Sequence, residues 1–216
     1  VMGTMSDPVL EGFAKSLGRP GGNVTGVVNQ GEDLIPKHFE LVRSVAPRAR
    51  RVGFLINPSP VLELRTKSFV ATARAAAAQV KLDLGMVRAS NRAELEAMRA
   101  NIAKERLDAL IVALDPVFLS LRSIVIGSAA ELGLPAVYPL PSYSEDGGLL
   151  SYGFNLGDSF KRAAGYVDRI VRGAKPGDLP IERPLKFELV VNLKTAKQLG
   201  LTIPQTVLLR ADRVIE

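Results

Sequence analysis

The sequence has no cysteine, no tryptophan and only one histidine among its 216 residues. Without cysteine the chain cannot form a disulfide, a thiolate metal site or a cysteine nucleophile. With His38 alone, a histidine-rich metal site cannot be built, and a Ser-His-Asp relay would have to use that one residue. The helical pattern around it predicts a half-exposed helix histidine rather than a ligand or base. We therefore expect no metal, no cofactor and no catalytic residue.

Aromatic residues are scarce, at 6% of the chain, and lysine and arginine form no long run. The formal net charge is +6, from 28 cationic and 22 acidic residues. Nucleic-acid interfaces usually combine a clustered basic stripe with stacking aromatic side chains. Because both are missing here, we do not expect a nucleic-acid partner, and a solvated, soluble surface is the simpler interpretation of the charge.

Long hydrophobic runs are also absent. The longest apolar stretches, such as 110–114, have the length of strands and fall far short of the ~20 residues of a membrane helix. The chain begins at Val1 without the basic and apolar regions of a signal peptide. We expect no signal peptide in this chain, no direct membrane insertion, and a natural N-terminus upstream of Val1.

What is present is the pattern of an α/β protein. Short apolar runs bounded by turn residues predict buried parallel strands, and they alternate with segments of helical periodicity. With right-handed crossovers, this order gives a parallel sheet flanked by helices. The predicted strands are 51–58, 82–87, 108–116 and 134–139, and the predicted helices are 62–80, 91–106 and 120–132.

The two ends of the chain are less complete. A helix at 8–17 and a strand at 23–28 are predicted before the α/β unit. After it we predict a strand at 149–154, a helix at 160–171, a strand at 187–191, a short helix at 192–199 and a last strand at 206–210. Neither end makes a self-sufficient domain, so we expect the two to pack together into a second lobe.

Short polar residues follow the strands where ligands usually bind in open α/β sheets, beyond the carboxyl ends. Asn57 and Ser59 follow the first predicted strand, and Asp115 ends the third. Ser6 and Asp7 have the same character ahead of the first predicted helix. Such residues could hold an amine, a hydroxyl or a carboxylate, or they could simply cap helices and turns.

The loop 138–146 follows the fourth strand at the same edge. Tyr143 could supply apolar area and a hydrogen bond to a small molecule, and Glu145 could face a cationic group. No Rossmann, P-loop, nucleophile-elbow or zincin motif occurs. An enzyme on a doubly wound α/β fold therefore remains an alternative without a motif to support it.

Several runs of residues together resemble one family. They are 6–9 (SDPV), 18–26 (GRPGGNVTG), 147–153 (GGLLSYG), 162–170 (RAAGYVDRI), 186–196 (KFELVVNLKTA), 199–204 (LGLTIP) and 209–212 (LRAD). In this order they resemble the substrate-binding proteins of ABC transporters, in the group of tryptophan/tyrosine-type binding proteins. The resemblance spans essentially the whole chain.

The resemblance implies a periplasmic-binding-protein type I-like fold, in which two Rossmann-like lobes enclose a ligand by hinge closure. Residues 29–153 would form a complete second lobe, and 1–28 with 154–216 would form part of the first, whose opening strand–helix units are missing here. The cleft residues would be Ser6, Asp7, Asn57, Ser59, Asp115, Tyr143 and Glu145. Apolar surface left exposed on the incomplete lobe could drive self-association.

By the same resemblance, the protein would be a periplasmic or extracytoplasmic solute-binding component of an ABC importer. It would capture a small molecule, such as an amino acid or an aromatic amino-acid-like compound, and deliver it to a permease and ATPase complex. A ligand-sensing module coupled to signalling is the main alternative. The lack of cysteine is compatible with an oxidising compartment, since a core of this size needs no disulfide.

Overall fold

The computed structural model describes residues 1–29, 31–58 and 63–216. These residues form two compact units. The first contains Val1–Glu32 and Phe154–Phe187, and the second contains Asp33–Gly153 and Glu188–Glu216. The predicted lobes kept all of 154–216 together, whereas the compact units divide this tail after Phe187. The reason is that the last strands join the sheet of the second unit. The assignment of the units to the lobes of a binding-protein fold stays a prediction.

The second unit contains alternating strands and helices. In chain order they are α1 (Ile35–Val45), β1 (Arg51–Ile56), α2 (Glu63–Gln79), β2 (Asp83–Arg88), α3 (Arg92–Glu105), β3 (Ala109–Val112), α4 (Pro116–Ser120), α5 (Arg122–Glu131), β4 (Ala136–Tyr138), α6 (Pro141–Glu145), β5 (Leu150–Phe154), β6 (Phe187–Asn192), α8 (Leu193–Gln198), α9 (Gln205–Leu208) and β7 (Arg213–Ile215). Helix α7 (Leu156–Val171) lies between β5 and β6 and belongs to the first unit.

Within the described residues, the strands form one sheet in the order β2-β1-β3-β4-β5-β6-β7. The pairs β1–β2, β1–β3, β3–β4, β4–β5 and β6–β7 are all parallel. The carboxyl ends of β1 to β5 therefore meet at one edge of the sheet. This arrangement confirms the predicted α/β pattern with a parallel sheet.

The core of the second unit shows why these segments fold as they do. Val52, Phe54 and Ile56 alternate along β1 and join one apolar cluster with α1 and α2. In the Ala-rich α2, the residues buried in that cluster are Phe69, Ala73, Ala76 and Ala77. Helices α3 and α5 contact each other outside this cluster, and Gly53 faces Leu107 and Leu110 on the other side of β1. Helices therefore cover both faces of the sheet.

Helix α3 begins with a side-chain cap at Asn91 and a second bond to the residue before it. Asn91 accepts a hydrogen bond from the backbone N–H of Glu94 at 3.0 Å, and the Glu94 carboxylate accepts one from the N–H of Ser90 at 2.7 Å. The first bond satisfies a backbone donor that a helix start leaves unpaired, and the second fixes the chain just before the helix. They explain why the predicted helix at 91–106 is found with nearly the same bounds.

Three predicted elements of this unit differ from the structure. The predicted helix at 120–132 begins earlier and is divided into α4 and α5, which are separated by Leu121. The predicted loop 138–146 contains the short helix α6, which Pro141 starts. The predicted last strand at 206–210 is wrong, because its residues form α9 and the strand β7 comes later. A short apolar run does not distinguish a strand from a buried helical turn.

The first unit has few regular elements besides α7 and a short 3₁₀ turn, Pro176–Asp178. Residues 8–12 form turns instead of the predicted helix at 8–17, since Pro8 and Gly12 bracket a segment too short for one. The predicted strand at 23–28 is reduced to single bridges, Met2–Gly26 and Val27–Glu182. Both predictions were therefore wrong in element type or extent.

Specific contacts hold the first unit together. Gly26 has a φ of +136° and lies so close to the Met2 carbonyl that a Cβ would collide with it. The Thr25 hydroxyl donates to the Leu179 carbonyl at 2.7 Å, and the Tyr166 hydroxyl donates to the Pro180 carbonyl at 2.5 Å. The 18–26 motif thus joins the start of the chain to the segment that follows α7.

Helix α7 buries one side and exposes an apolar stripe on another. Ser159, Ala163 and Tyr166 are buried. Phe160, Val167 and Val171 are 54%, 48% and 80% exposed.

No described helix of the chain is long and apolar enough to cross a membrane.

Candidate functional site

Two polar side chains follow neighbouring strands at the carboxyl end of the second unit's sheet. Asn57 comes directly after β1, and Asp115 comes shortly after β3. The two strands are paired, and both side chains are buried. Asn57 Nδ2 donates to Asp115 Oδ1 at 3.3 Å. The structure therefore brings these two predicted site residues into direct contact.

Arg65 of α2 completes this group, although it is not among the residues predicted for the site. Its Nη2 donates to Asp115 Oδ2 at 2.7 Å, and its side chain is only 16% exposed. Its guanidinium also lies over the ring of Phe69, 5.8 Å from the ring centre. A buried carboxylate such as that of Asp115 needs a cation partner, and the helix after Asn57 supplies nearby cations. We call these residues the Asn57–Arg65–Asp115 cluster.

Asp115 also performs the capping role that was the alternative explanation for it. Its Oδ1 accepts the backbone N–H of Val117 at 2.9 Å at the start of α4. Two predicted roles, helix cap and cleft residue, therefore do not exclude each other at this position. The carboxylate is held in place by one cation and two further donors.

Tyr143 lies on α6 and stacks on Tyr138 of β4, with ring centres 5.0 Å apart and ring planes 16° apart. Both side chains are buried. Burial raises the pKa of the Tyr143 hydroxyl well above its ordinary value, and the neighbouring Tyr138 and the charge of Asp115 raise this pKa further. The hydroxyl therefore stays protonated, and within the described residues it has no hydrogen-bond partner. It is a donor close to the Asn57–Arg65–Asp115 cluster.

The 147–148 turn sets the position of the tyrosine pair. A Cβ on Gly148 would lie 2.6 Å from the Tyr138 ring and 2.8 Å from the Tyr143 carbonyl oxygen. Both distances are shorter than any ordinary contact, so only glycine allows the chain to pass here. Gly148 belongs to the 147–153 motif, and close packing against the tyrosine pair explains why a glycine stands there.

Ser6 and Asp7 lie in the first unit, and their local structure is a turn. Asp7 Oδ1 accepts the backbone N–H groups of Val9 and Leu10, both at 2.9 Å. The preceding segment is fixed by Asn29, whose Nδ2 donates to the Thr4 hydroxyl at 3.2 Å. Ser6 and Asp7 as ligand contacts stay predictions.

The two remaining residues predicted for the site are Glu145 and Ser59. Glu145 ends α6 and forms an ion pair with Arg213 of β7, and both side chains are nearly half exposed. Its described partner is therefore a cation of this chain. The neighbouring Asp146 pairs with Arg122 at 2.6 Å. Ser59 lies outside the described residues.

His38 is buried, not half-exposed as the sequence predicted. Its Nε2 lies 2.7 Å from the carbonyl oxygen of Tyr152. Burial lowers the pKa of His38 to about 4, although the hydrogen bond with this carbonyl opposes the shift. The ring is therefore neutral at pH 7. The prediction counted Phe39, Leu41 and Val42 as the apolar positions of this helix. It failed because Ile35 and Val45 are buried as well and give α1 a broader buried face.

The chemistry available at the carboxyl end is recognition by hydrogen bonds and charge. Arg65 supplies a cation, Asp115 an anion, and Tyr143 an uncommitted donor among the described residues. The described residues contain no group of histidine, cysteine and carboxylate side chains suited to holding a metal ion. Such a set matches a zwitterionic small molecule, whose carboxylate and ammonium need opposite charges.

Comparison with a solved structure shows which class of protein has this architecture. The ABC domain from Streptococcus pneumonia, solved in complex with L-Trp, superposes with a TM-score of 0.86 at 28% identity, over 99% of this chain and 70% of that one. A conserved domain protein from Vibrio cholerae gives a TM-score of 0.85 at 30% identity, over 97% and 69%. The predicted fold class, α/β of the periplasmic-binding-protein type I kind, is confirmed.

The sequence comparison is more specific. The family model for ABC transporter substrate binding protein matches residues 1–215, and the chain belongs to this family. A tyrosine-binding protein of Clostridioides difficile is 27% identical over 93% of this chain. The chain spans 56% of the length of that relative. The resemblance inferred from the motifs is confirmed.

Proposed function

We propose that this chain is the solute-binding component of an ABC importer and that its ligand is an aromatic amino acid. The observation that carries the proposal is the Asn57–Arg65–Asp115 cluster beside the Tyr143 hydroxyl. It lies at the carboxyl end of a parallel sheet, where open α/β folds bind ligands. The L-Trp complex and the tyrosine-binding relative support the ligand class.

The charges of the cluster suit the two ends of an amino acid. The guanidinium of Arg65 has five N–H donors, and the described ion pair engages Nη2 only, so other donors remain for a ligand carboxylate. Asp115 would accept from the ligand ammonium, in part exchange for its contact with Asn57. The long 3.3 Å distance of that contact makes it the easiest of the three bonds at Asp115 to replace.

Ser6, Asp7, Ser59 and Glu145 remain candidate contacts in this proposal. Capture of the ligand in a cleft between two lobes, delivery to a permease and ATPase complex, and an extracytoplasmic location also belong to it. They rest on membership of the family. The lack of catalytic motifs in the sequence favours a binding role over an enzymatic one.

Isothermal titration calorimetry of the 216-residue chain tests the proposal directly. L-Trp, L-Tyr and L-Phe are each titrated, with L-Leu and L-Glu as comparison ligands. We expect saturable binding of at least one aromatic amino acid and at least tenfold weaker binding of the comparison ligands. Binding of none of the five, with the chain shown to be folded by circular dichroism, would overturn the proposal for this chain.

A conservative variant then locates the site. Tyr143→Phe removes one buried hydroxyl and keeps the ring stack, so we expect a folded protein with roughly tenfold weaker ligand binding, the value of one hydrogen bond. Tyr166→Phe in the first unit is the matched control, because its hydroxyl donates to the Pro180 carbonyl and not to the cluster. Equal affinity of Tyr143→Phe and the unaltered chain would place the ligand elsewhere.

A further inference from the structure

A pocket lies at the opposite end of the same strands from the Asn57–Arg65–Asp115 cluster. It is open to solvent, has a volume of about 660 Å³, and is lined by the turns that lead into β1 and β2. Its lining contains four cations and one carboxylate, a formal charge of +3. The lining residues are Arg43, Pro47, Arg48, Ala49, Arg50, Lys81 and Asp83.

Arg43 holds the two turns of this pocket in place. Its Nη1 donates to the carbonyls of Pro47 and Ala49 at 3.1 and 3.0 Å, in the turn before β1. Its Nε and Nη2 donate to the carbonyls of Val80 and Lys81 at 2.8 to 3.1 Å, in the turn before β2. The guanidinium therefore fixes the pocket wall and leaves its positive charge there without a carboxylate among these partners.

The other three cations, Arg48, Arg50 and Lys81, are exposed. Within the described part of the chain, none of them takes part in an ion pair, in contrast to exposed arginines such as Arg99 and Arg172. Lys81 has a φ of +56°, in the left-handed region that a residue after a helix usually fills with glycine. The left-handed conformation raises the backbone free energy of a lysine relative to glycine. In return, the pocket lining gains a cationic side chain.

We propose that this pocket binds a phosphate-bearing anion. Two arginines and a lysine that lack internal partners, next to a fixed guanidinium, are the side chains that recognise phosphate oxygens. The volume exceeds that of a single phosphate group, so a diphosphate or a phosphate carrying a polar body fits better than the inorganic ion. The site is separated from the Asn57–Arg65–Asp115 cluster by the length of β1, and both can be occupied together.

Calorimetry with sodium pyrophosphate tests the site, at constant ionic strength set with sodium chloride. We expect saturable binding at this ionic strength, and weaker binding in a second series at higher sodium chloride, because salt screens exposed charges. The variant Arg48→Gln/Arg50→Gln/Lys81→Gln should lose at least tenfold in affinity. The control Arg74→Gln/Lys104→Gln/Lys194→Gln makes the same change in net charge at exposed positions outside the pocket and should stay within twofold of the unaltered chain.

The phosphate group could belong to a free compound or to a lipid headgroup, and sedimentation with vesicles separates these sources. Vesicles of phosphatidylglycerol and phosphatidylcholine are compared with vesicles of phosphatidylcholine alone. Pocket-dependent sedimentation only with the anionic vesicles identifies a lipid source, and pyrophosphate binding without it identifies a free anion. Absence of both, or equal losses in the pocket variant and the control, would overturn the proposal.

Discussion

Charged side chains are buried and paired at one end of the parallel strands in the second unit, whereas three cations at the other end are exposed and unpaired within the described residues. At the carboxyl end, Asp115 is 2% exposed and is neutralised by Arg65. At the amino end, Arg48, Arg50 and Lys81 are exposed and have no ion-pair partner in the described residues. An unpaired charge strongly destabilises the fold when it is buried and hardly affects it when it is exposed.

This difference separates two kinds of binding surface. At the carboxyl end, the groups that would recognise a ligand are also part of the core, so a change there affects stability and binding together. At the amino end, removal of Arg48, Arg50 or Lys81 should leave the fold intact, because the Arg43 side chain and the backbone bond from the Asp83 N–H to the Arg50 carbonyl connect the turns.

Replacing Asp115 with alanine should have the largest effect on stability. It leaves Arg65 without its partner and removes the cap of α4, which together should lower the free energy of unfolding by about 3–5 kcal/mol. Urea denaturation measures this change. Glu145→Ala is the control, since its ion pair with Arg213 is nearly half exposed and should contribute less than about 1 kcal/mol. Similar losses in both variants would erase the contrast between buried and exposed charges.

His38 extends the contrast to a buried group that is neutral. Its pKa is about 4 in the folded protein, against 6.5 for an unperturbed histidine, so the unfolded chain binds its proton first as the pH falls. The stability that depends on neutral His38 is fully present above pH 6.5 and is lost between pH 6.5 and 4, by about 3 kcal/mol in total.

Denaturation at several pH values checks this prediction. The difference in unfolding free energy between the unaltered chain and His38→Gln should change with pH in this window and level off above it. Comparison with the variant removes the contribution of the carboxylates, which both proteins share. A difference that is independent of pH from about 7 to 4 would show that His38 is charged or accessible in the folded state.

Gly148→Ala should disturb the tyrosine stack at the carboxyl end. The new methyl group would collide with the ring of Tyr138 and the carbonyl of Tyr143, at a cost of about 1–3 kcal/mol. Gly127→Ala is a control of opposite sign. Gly127 lies inside α5 with no atom near its missing Cβ, so alanine there should stabilise by up to about 1 kcal/mol. Thermal unfolding by circular dichroism shows both shifts, and a stabilised Gly148→Ala would contradict the packing.

The smallest effect is expected at the amino end. Single changes of Arg48, Arg50 or Lys81 to glutamine should alter the unfolding free energy by no more than about 0.5 kcal/mol each. The measurement is the same urea titration used for Asp115. A loss comparable to that of Asp115→Ala at any of these positions would mean that the amino end is also part of the structural core.

Periodicity and turn residues were sufficient to predict most of the second unit. The Ala-rich α2 and the capped α3 were found close to their predicted bounds, because their signals are local. The first unit was predicted poorly, since its 18–26 segment is held by contacts with residues 2 and 179–182 rather than by local propensity. Long-range contacts of this kind leave no period in the sequence.

The same distinction applies to the site. Asn57 and Asp115 could be predicted to lie at one edge, since both follow parallel strands. Arg65 could not be selected from among the cations of α2, because the choice depends on which side of the helix faces Asp115. Glu145 looked equivalent to Asp115 in sequence, but the position of Arg213 on β7 gives it a partner at the surface.

The apolar stripe of α7 has a practical consequence for measuring this protein. Phe160, Val167 and Val171 form an exposed apolar surface on the folded chain. Their spacing places them along one side of the helix. Dyes whose fluorescence increases on binding apolar surface should bind this stripe in the native state, before any heating. A dye-based melting curve would then start from a bright baseline, so calorimetry and circular dichroism are the better instruments for following ligands on this chain.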